Sequence, residues 1–204
     1  MTLLSASEQK QVAAAIAEVE QQTDAELVTV LARSSDDYTY IPLLWAGIVA
    51  LLVPGAVNFL TGWFGVNGLL MAQWSTFIGL CLLVRVSGGS HWLVPKAVRF
   101  WRASNLARRQ FLEQNLHHTA GGTGILIFVS EAEHYVEILV DQGISSKIEN
   151  QVWESIVSDF TAKVRQGRTL EGFVDAIGAC GDQLKAQVPA TREKNELPNR
   201  LVML

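Results

Sequence analysis

A long stretch without charge constrains this chain more than any other feature. Residues 38–84 contain no Asp, Glu, Lys or Arg. A membrane-spanning helix needs roughly 20 consecutive apolar residues, so this stretch is long enough for two spans and a turn. It therefore predicts an integral membrane protein, and the high apolar content excludes a disordered chain.

Two apolar segments are predicted here, 40–60 and 69–86, around a glycine-containing turn at 61–68, and the second extends just past the uncharged stretch to include Arg85. The turn carries no charge, whereas 85–109 carries six basic residues and no acidic residue. Since positive charge stays on the cytoplasmic side, we expect the turn outside and both chain termini in the cytosol, in a bacterial inner membrane. A re-entrant loop is the alternative, although two full spans fit the length better. No charge lies in the middle of either segment, so an ion or proton pathway has no support.

The segment 88–116 is basic and amphipathic. Val94, Val98 and Trp101 recur at helical spacing, and basic residues occupy another side of the same predicted helix. This pattern is typical of a helix that lies on anionic lipid headgroups. The residues expected at the membrane surface are Lys96, Arg99, Arg102, Arg108, Arg109, Trp92 and Trp101. Nucleic-acid binding is less favoured, because the rest of the chain is acidic and tethered.

The remaining segments predict an α/β fold, a small mixed sheet flanked by helices and interrupted by the membrane hairpin. Apolar runs at 25–32, 124–130 and 135–140 predict strands, the last two forming an antiparallel hairpin. The first strand has to pair with the second across the membrane insertion. The predicted parts are 1–37, the first helix and strand; 38–87, the hairpin; 88–116, the basic interfacial helix; 117–189, the rest of the α/β domain; and 190–204, a flexible tail.

Two pieces of the chain resemble the TPM domain family, which is named for a thylakoid lumen protein, a photosystem II repair protein and a nematode acetylcholine-receptor modulator. Residues 18–30, EVEQQTDAELVTV, resemble the opening of the family's domain. Residues 111–144, FLEQNLHHTAGGTGILIFVSEAEHYVEILVDQGI, resemble its central signature. The resemblance covers about 5–35 and 100–190, and the two inserted spans depart from it. It implies a compact α/β fold and a role in the assembly, maintenance or modulation of membrane complexes. Some family members are described as phosphatases or calcium binders.

Three residues are candidates for a divalent cation site. The resemblance places Asp141 at the strand-end motif and Glu26 in the first-strand motif, while His117 ends the basic helix with Glu113 four residues before it. A lone Asp is a poor ligand set for Ca²⁺, which takes 6–8 oxygen atoms. The alternatives are turn capping for Asp141 and an exposed strand position for Glu26. Against a metal role for His117, the adjacent His118 points in a different direction and no third ligand is obvious.

The sequence favours a membrane-anchored module that interacts with membrane protein complexes, without catalysis and without a required cofactor. The competing hypothesis is a metal-dependent phosphatase that uses Asp141, Glu26 and His117. The expected partner of the protein is the lipid bilayer, and nucleic acid is not expected to bind. The sequence does not name the protein partner.

Overall fold

A computed structural model describes residues 4–87, 94–119, 121–191 and 197–204. The chain forms two compact units. One consists of Met1–Ser35 together with Phe100–Leu204, and it is called the sheet unit here. The other is Asp36–Arg99, the anchor unit.

A four-stranded mixed sheet, in the order β3-β2-β1-β4, is the centre of the sheet unit. Its strands are β1 (Glu26–Ala32), β2 (Gly124–Ser130), β3 (Tyr135–Val140) and β4 (Leu201–Met203). The first two strands run parallel in unbroken register, from Glu26 opposite Gly124 to Ala32 opposite Ser130. This confirms that the first strand pairs across the insertion.

The central position of β1 and β2 follows from their composition. Every residue of both strands is buried, as expected for strands that are covered on both faces. The predicted hairpin between β2 and β3 is also present, with antiparallel pairing from Ile125 opposite Val140 to Ser130 opposite Tyr135.

Helices cover both faces of the sheet. The helices are α1 (Ala6–Glu20), α4 (Lys96–Glu113), the short α5 (Gln142–Ser145), α6 (Asn150–Arg165) and α7 (Thr169–Gln187). Apolar residues of α1, α6 and α7 form one core with alternate residues of β1 and β2. The other residues of these strands pack against α4.

The apolar contacts of α4 differ from the expectation of a purely interfacial helix. Ala103, Ala107 and Gln110 are buried, and the two alanines pack with Val28 and Leu126 of the sheet. The described part of the predicted segment 88–116 is thus partly a layer of the α/β domain. Small alanines allow the helix to approach the sheet closely, and they do not stand out as a hydrophobic stripe in the sequence.

The end of the chain also differs from its prediction as a flexible tail. β4 pairs parallel with β1, with Thr29 opposite Leu201 and Leu31 opposite Met203. The N–H of Leu204 donates to the carbonyl of Leu31 at 3.0 Å, and the N–H of Arg33 donates to the carbonyl of Leu204 at 3.1 Å. Leu201–Met203 are therefore part of the sheet, and Leu204 extends the pairing by its two hydrogen bonds.

The anchor unit is a helical hairpin of α2 (Tyr40–Thr61) and α3 (Val66–Ser87). Both helices are long and apolar enough to cross a membrane. Gly62, in a left-handed conformation, ends α2, and the Asn58 side chain accepts the N–H of Phe64 at 2.8 Å. These contacts close a short turn, so that α3 packs back along α2.

Candidate functional site

Asp141 lies where β3 ends and α5 begins. Its Oδ1 atom accepts the N–H of Gln142 at 2.7 Å, and its own N–H donates to the carbonyl of Gly124 at 2.9 Å. The carboxylate thus caps a turn, as one of the two sequence interpretations expected.

The same turn brings two loops into close contact. A Cβ atom added at Gly143 would lie 2.3 Å from the carbonyl oxygen of Gly121. The N–H of Gly143 donates to the carbonyl of Gly122 at 2.9 Å. Only glycine fits at position 143, because any side chain would overlap the neighbouring backbone.

Glu26 is the first residue of β1, and its side chain is buried rather than exposed, at 4% of its accessible surface. Its Oε2 atom accepts the N–H of Leu197 at 3.2 Å. This side chain therefore connects the start of β1 to the segment that leads into β4.

His117 is an exposed residue of the 3-10 turn Leu116–His118, between α4 and β2. Its ring contacts the ring of His118, with the centroids 4.0 Å apart. Within the described ranges, no group of three or more His, Cys, Asp or Glu side chains is arranged to hold a metal ion. The assignment of Asp141, Glu26 and His117 to a divalent cation stays a prediction.

A buried carboxylate that the sequence did not single out lies at the carboxyl ends of β1 and β2, the opposite end of the sheet from Glu26. Glu133 is 3% exposed, although it belongs to the β2–β3 turn. Both of its oxygens lie 3.2 Å from the donating N–H nitrogen of Ser35, and it also accepts the hydroxyls of Ser34 and Ser130. Ser34 and Ser35 lie where the chain leaves β1 for the anchor unit, and Ser130 is the last residue of β2.

A second carboxylate, Glu20, lies at the end of α1 beside the start of β1. Burial raises the pKa of Glu20 to about 7, and the neighbouring charge of Glu26 acts in the same direction. Hydrogen bonds from the N–H of Leu27 and from Asn199 act against this rise in pKa. No sequence motif distinguishes this Glu from the exposed acids of α1, because only the fold buries it.

A cavity of about 750 Å³ opens beside the carboxyl ends of β1 and β2. Arg33, Glu131, His134, Arg165 and Arg168 are among the residues that line it. Three acidic residues, Glu8, Glu131 and Glu171, line the cavity beside its three arginines, and Glu171 pairs with Arg168. Its charges therefore do not select an anionic ligand over a cationic one.

The predicted membrane-surface residues fall into three groups. Lys96 and Arg99 belong to the anchor unit, whereas Trp101, Arg102, Arg108 and Arg109 belong to the sheet unit. Trp92 lies outside the described residues. Trp101, Arg108 and Arg109 are exposed on α4, and the Arg102 guanidinium lies over the Trp101 ring, 5.1 Å from its centroid.

Comparisons with known proteins agree with this fold. Residues 100–183 match the model of a family described as the TPM domain. The chain is also similar to the NMR structure of the BA42 protein from the psychrophilic bacterium Bizionia argentinensis. The TM-score is 0.62 at 18% identity, over 98% of this chain and 95% of that chain. This likeness shows the fold alone, and the comparison with curated proteins gave no significant match.

Proposed function

Because residues 100–183 form a TPM domain, we propose that this chain is a membrane-anchored TPM module. It holds an α/β domain at the bacterial inner membrane, where the domain binds neighbouring membrane proteins and assists the assembly or maintenance of their complexes. Catalysis is not part of this role.

The exposed apolar surface of the anchor unit carries the proposal. Phe59, Leu60 and Val86 are each more than 80% exposed, and most other large apolar residues of α2 and α3 are exposed as well. A contiguous apolar surface of this size is unfavourable in water and favourable in a bilayer. Each helix has 22 residues, which at 1.5 Å per residue spans a hydrocarbon core of roughly 30 Å.

The connection between the anchor and the sheet supports a role in positioning. The anchor unit is inserted between β1 and β2, two strands that pair along their whole length. The anchor is therefore joined to the most buried part of the domain rather than to one end of the chain. Glu133 strengthens this connection, since it binds Ser34 and Ser35 directly after β1.

The local hydrogen bonds of the candidate carboxylates favour a structural role over hydrolysis. Asp141 is engaged as a turn cap, and Glu26 accepts an N–H from the segment before β4. Both side chains thus have local roles in holding the fold. Metal-dependent hydrolysis of phosphate esters needs carboxylates that converge on one ion.

Partner binding can be tested by photo-crosslinking in native membranes. A groove in the anchor unit is lined by Gly47, Ala50, Gln73, Trp74 and Phe77 among others. We expect a photo-reactive residue in place of Trp74 to capture one defined membrane protein reproducibly. The same residue in place of Leu83, which is 63% exposed on the same helix, serves as the control and should capture lipid.

Lipid adducts alone at both positions would contradict the proposal. The competing phosphatase is tested separately with the purified chain and a generic phosphomonoester. Metal-dependent hydrolysis that is lost in Asp141→Asn would replace the proposed function with the phosphatase.

The membrane orientation is tested by a reporter protein fused after Leu204. The excess of basic residues at 85–109 supports a cytosolic domain. A reporter that works only in the cytosol should be active in this fusion, and a reporter that works only outside the cytosol should be inactive. Activity of the second reporter would reverse the proposed orientation.

A further inference from the structure

One side of α4 points away from the sheet and combines arginines with large apolar residues. We propose that this outward face, formed by Trp101, Arg108 and Leu112 and flanked by Arg102 and Arg109, binds the headgroups of anionic lipids. This inference rests on the proposed function, because a lipid surface is available to the domain only when the chain is anchored in a membrane.

The two sides of α4 are clearly separated. The buried residues Ala103, Ala107 and Gln110 follow the spacing i, i+4, i+7 and define the side that packs on the sheet. At 3.6 residues per turn, Trp101, Arg108 and Leu112 fall on the opposite side of the helix. The Val94, Val98 and Trp101 stripe that the sequence suggested lies on this same side, and Arg108 and Leu112 continue it. Val94 and Val98 pack with Tyr38 and Ile41 in the anchor unit, so the exposed outward face begins at Trp101.

The apolar residues of the outward face are left exposed by the fold. Trp101 is 58% exposed and Leu112 is 56% exposed, although the rest of the apolar surface of α4 within the sheet unit is at least partly covered. Tryptophan is enriched at membrane–water interfaces because its ring is apolar and its N–H is polar. A Trp and a Leu on one face of a helix, with arginines between and beside them, suit the boundary between lipid headgroups and acyl chains.

The charge of α4 selects anionic rather than neutral lipid. From Lys96 to Glu113 the helix carries five basic residues and one acidic residue, whereas the whole chain has a net charge of −4. Glu113 pairs with Arg109 at 3.4 Å, and both side chains are more than half exposed. Such an exposed ion pair is weak and is readily exchanged for a phosphate group.

The arginine beside the tryptophan favours the same ligand. The Arg102 guanidinium over the Trp101 ring is a cation–π arrangement that keeps the charge next to the exposed apolar surface. A phosphate group can then be bound by arginines while the ring enters the interface. Nucleic acid would engage the arginines too, but it would leave Leu112 in water.

The test uses the full chain in nanodiscs, with a polarity-sensitive fluorophore on Leu112→Cys in a Cys81→Ser background. Cys180 is kept because it is fully buried, and absence of labelling in the background checks that it is unreactive. The control carries the fluorophore on Ser158→Cys, an exposed position of α6 in the same unit. Nanodiscs contain either phosphatidylcholine alone or phosphatidylcholine with phosphatidylglycerol.

We expect the emission of the Leu112→Cys probe to shift to the blue only with phosphatidylglycerol, and the shift to weaken at high salt. The Ser158→Cys probe should not respond. Replacing Arg108 or Arg109 by Gln should lower the ratio of bound to unbound probe by about fivefold for each arginine. Unchanged unfolding curves would show that these variants fold normally.

Three results would overturn the inference: no dependence on phosphatidylglycerol, an equal response of both probes, or a response that the two Arg→Gln changes leave intact. A response to duplex DNA in phosphatidylcholine nanodiscs without a response to phosphatidylglycerol would assign the face to nucleic acid instead. None of these results alters the crosslinking from Trp74, so the proposed function is tested independently.

Discussion

The Oε1 atom of Glu20 accepts the main-chain N–H of Leu27 at 2.9 Å, on the side of β1 that faces β4. The N–H of Glu26 donates to Thr123 on the β2 side, so the next N–H, that of Leu27, points to the other side. β4 begins to pair only opposite Thr29. The Glu20 carboxylate thus takes the place of a strand carbonyl where β4 does not reach.

This position of Glu20 makes the stability of the sheet unit depend on pH. Burial raises its pKa from 4.5 to about 7. The folded protein therefore binds more protons than the unfolded chain between these values. This contribution is fully present below about pH 4.5 and is lost as the pH rises towards 7.

We expect Glu20→Gln, which keeps the acceptor for Leu27 and stays neutral at every pH, to remove this dependence of stability on pH. At pH 8 it should raise the free energy of unfolding by about 1–2 kcal/mol, a value reduced because the side chain is partly exposed. Denaturation in detergent at pH 5 and pH 8 measures the difference. Glu18→Gln, at an exposed position of the same helix, is the control, and equal behaviour of both variants would contradict the prediction.

The buried Glu133 should contribute strongly to stability. Glu133→Ala leaves the N–H of Ser35 and the hydroxyls of Ser34 and Ser130 without this acceptor. The expected loss in free energy of unfolding is about 2–3 kcal/mol. Glu154→Ala, at an exposed position of α6, should change the free energy by less than about 0.5 kcal/mol. Similar losses for both variants would show that Glu133 has no special role.

Two glycines of α7 should respond in opposite ways to alanine. A Cβ atom at Gly181 would lie 2.6 Å from Cγ2 of Val19 in α1, whereas one at Gly178 meets no atom within 4 Å. Gly181→Ala should therefore destabilise the protein by about 1–3 kcal/mol. Gly178→Ala should stabilise it by about 0.5–1 kcal/mol through helix propensity. Thermal unfolding measures both, and a shift of the same sign in the two variants would contradict the packing of α1 on α7.

Removal of residues 197–204 should expose one edge of β1. Amide hydrogen exchange at Arg33 is expected to accelerate, because its N–H donates to the carbonyl of Leu204. The N–H of Glu131 donates to Ala32 on the other side of β1, and it provides the internal control. Unchanged exchange at Arg33 would mean that β4 does not protect this edge.

Several parts of the fold could be predicted from the sequence because the signal is local. The run of apolar residues at 124–130 is consistent only with a buried strand once its length and β-branched content are considered. The central TPM signature lies in one continuous piece, and the matched family model, at 100–183, overlaps it. The pairing of β1 with β2 followed from the order of the predicted strands and helices, despite the inserted hairpin.

The features that the sequence did not reveal depend on contacts between distant residues. Ala103 and Ala107 look neutral in sequence, and they become core residues only because the sheet lies against them. Leu201–Met203 is too short to be recognised as a strand without the edge of β1 beside it. Glu133 and Glu20 are ordinary acidic residues until the fold buries them.

The sequence by itself determined that two long apolar helices interrupt an α/β domain, because uncharged length and strand periodicity are properties of consecutive residues. Only the tertiary structure decided which side of α4 packs on the sheet and which side, with Trp101 and Leu112, remains exposed. It also decided that Leu201–Met203 complete the sheet. Burial and pairing of this kind arise between residues that lie far apart in the chain, so the local pattern carries no record of them.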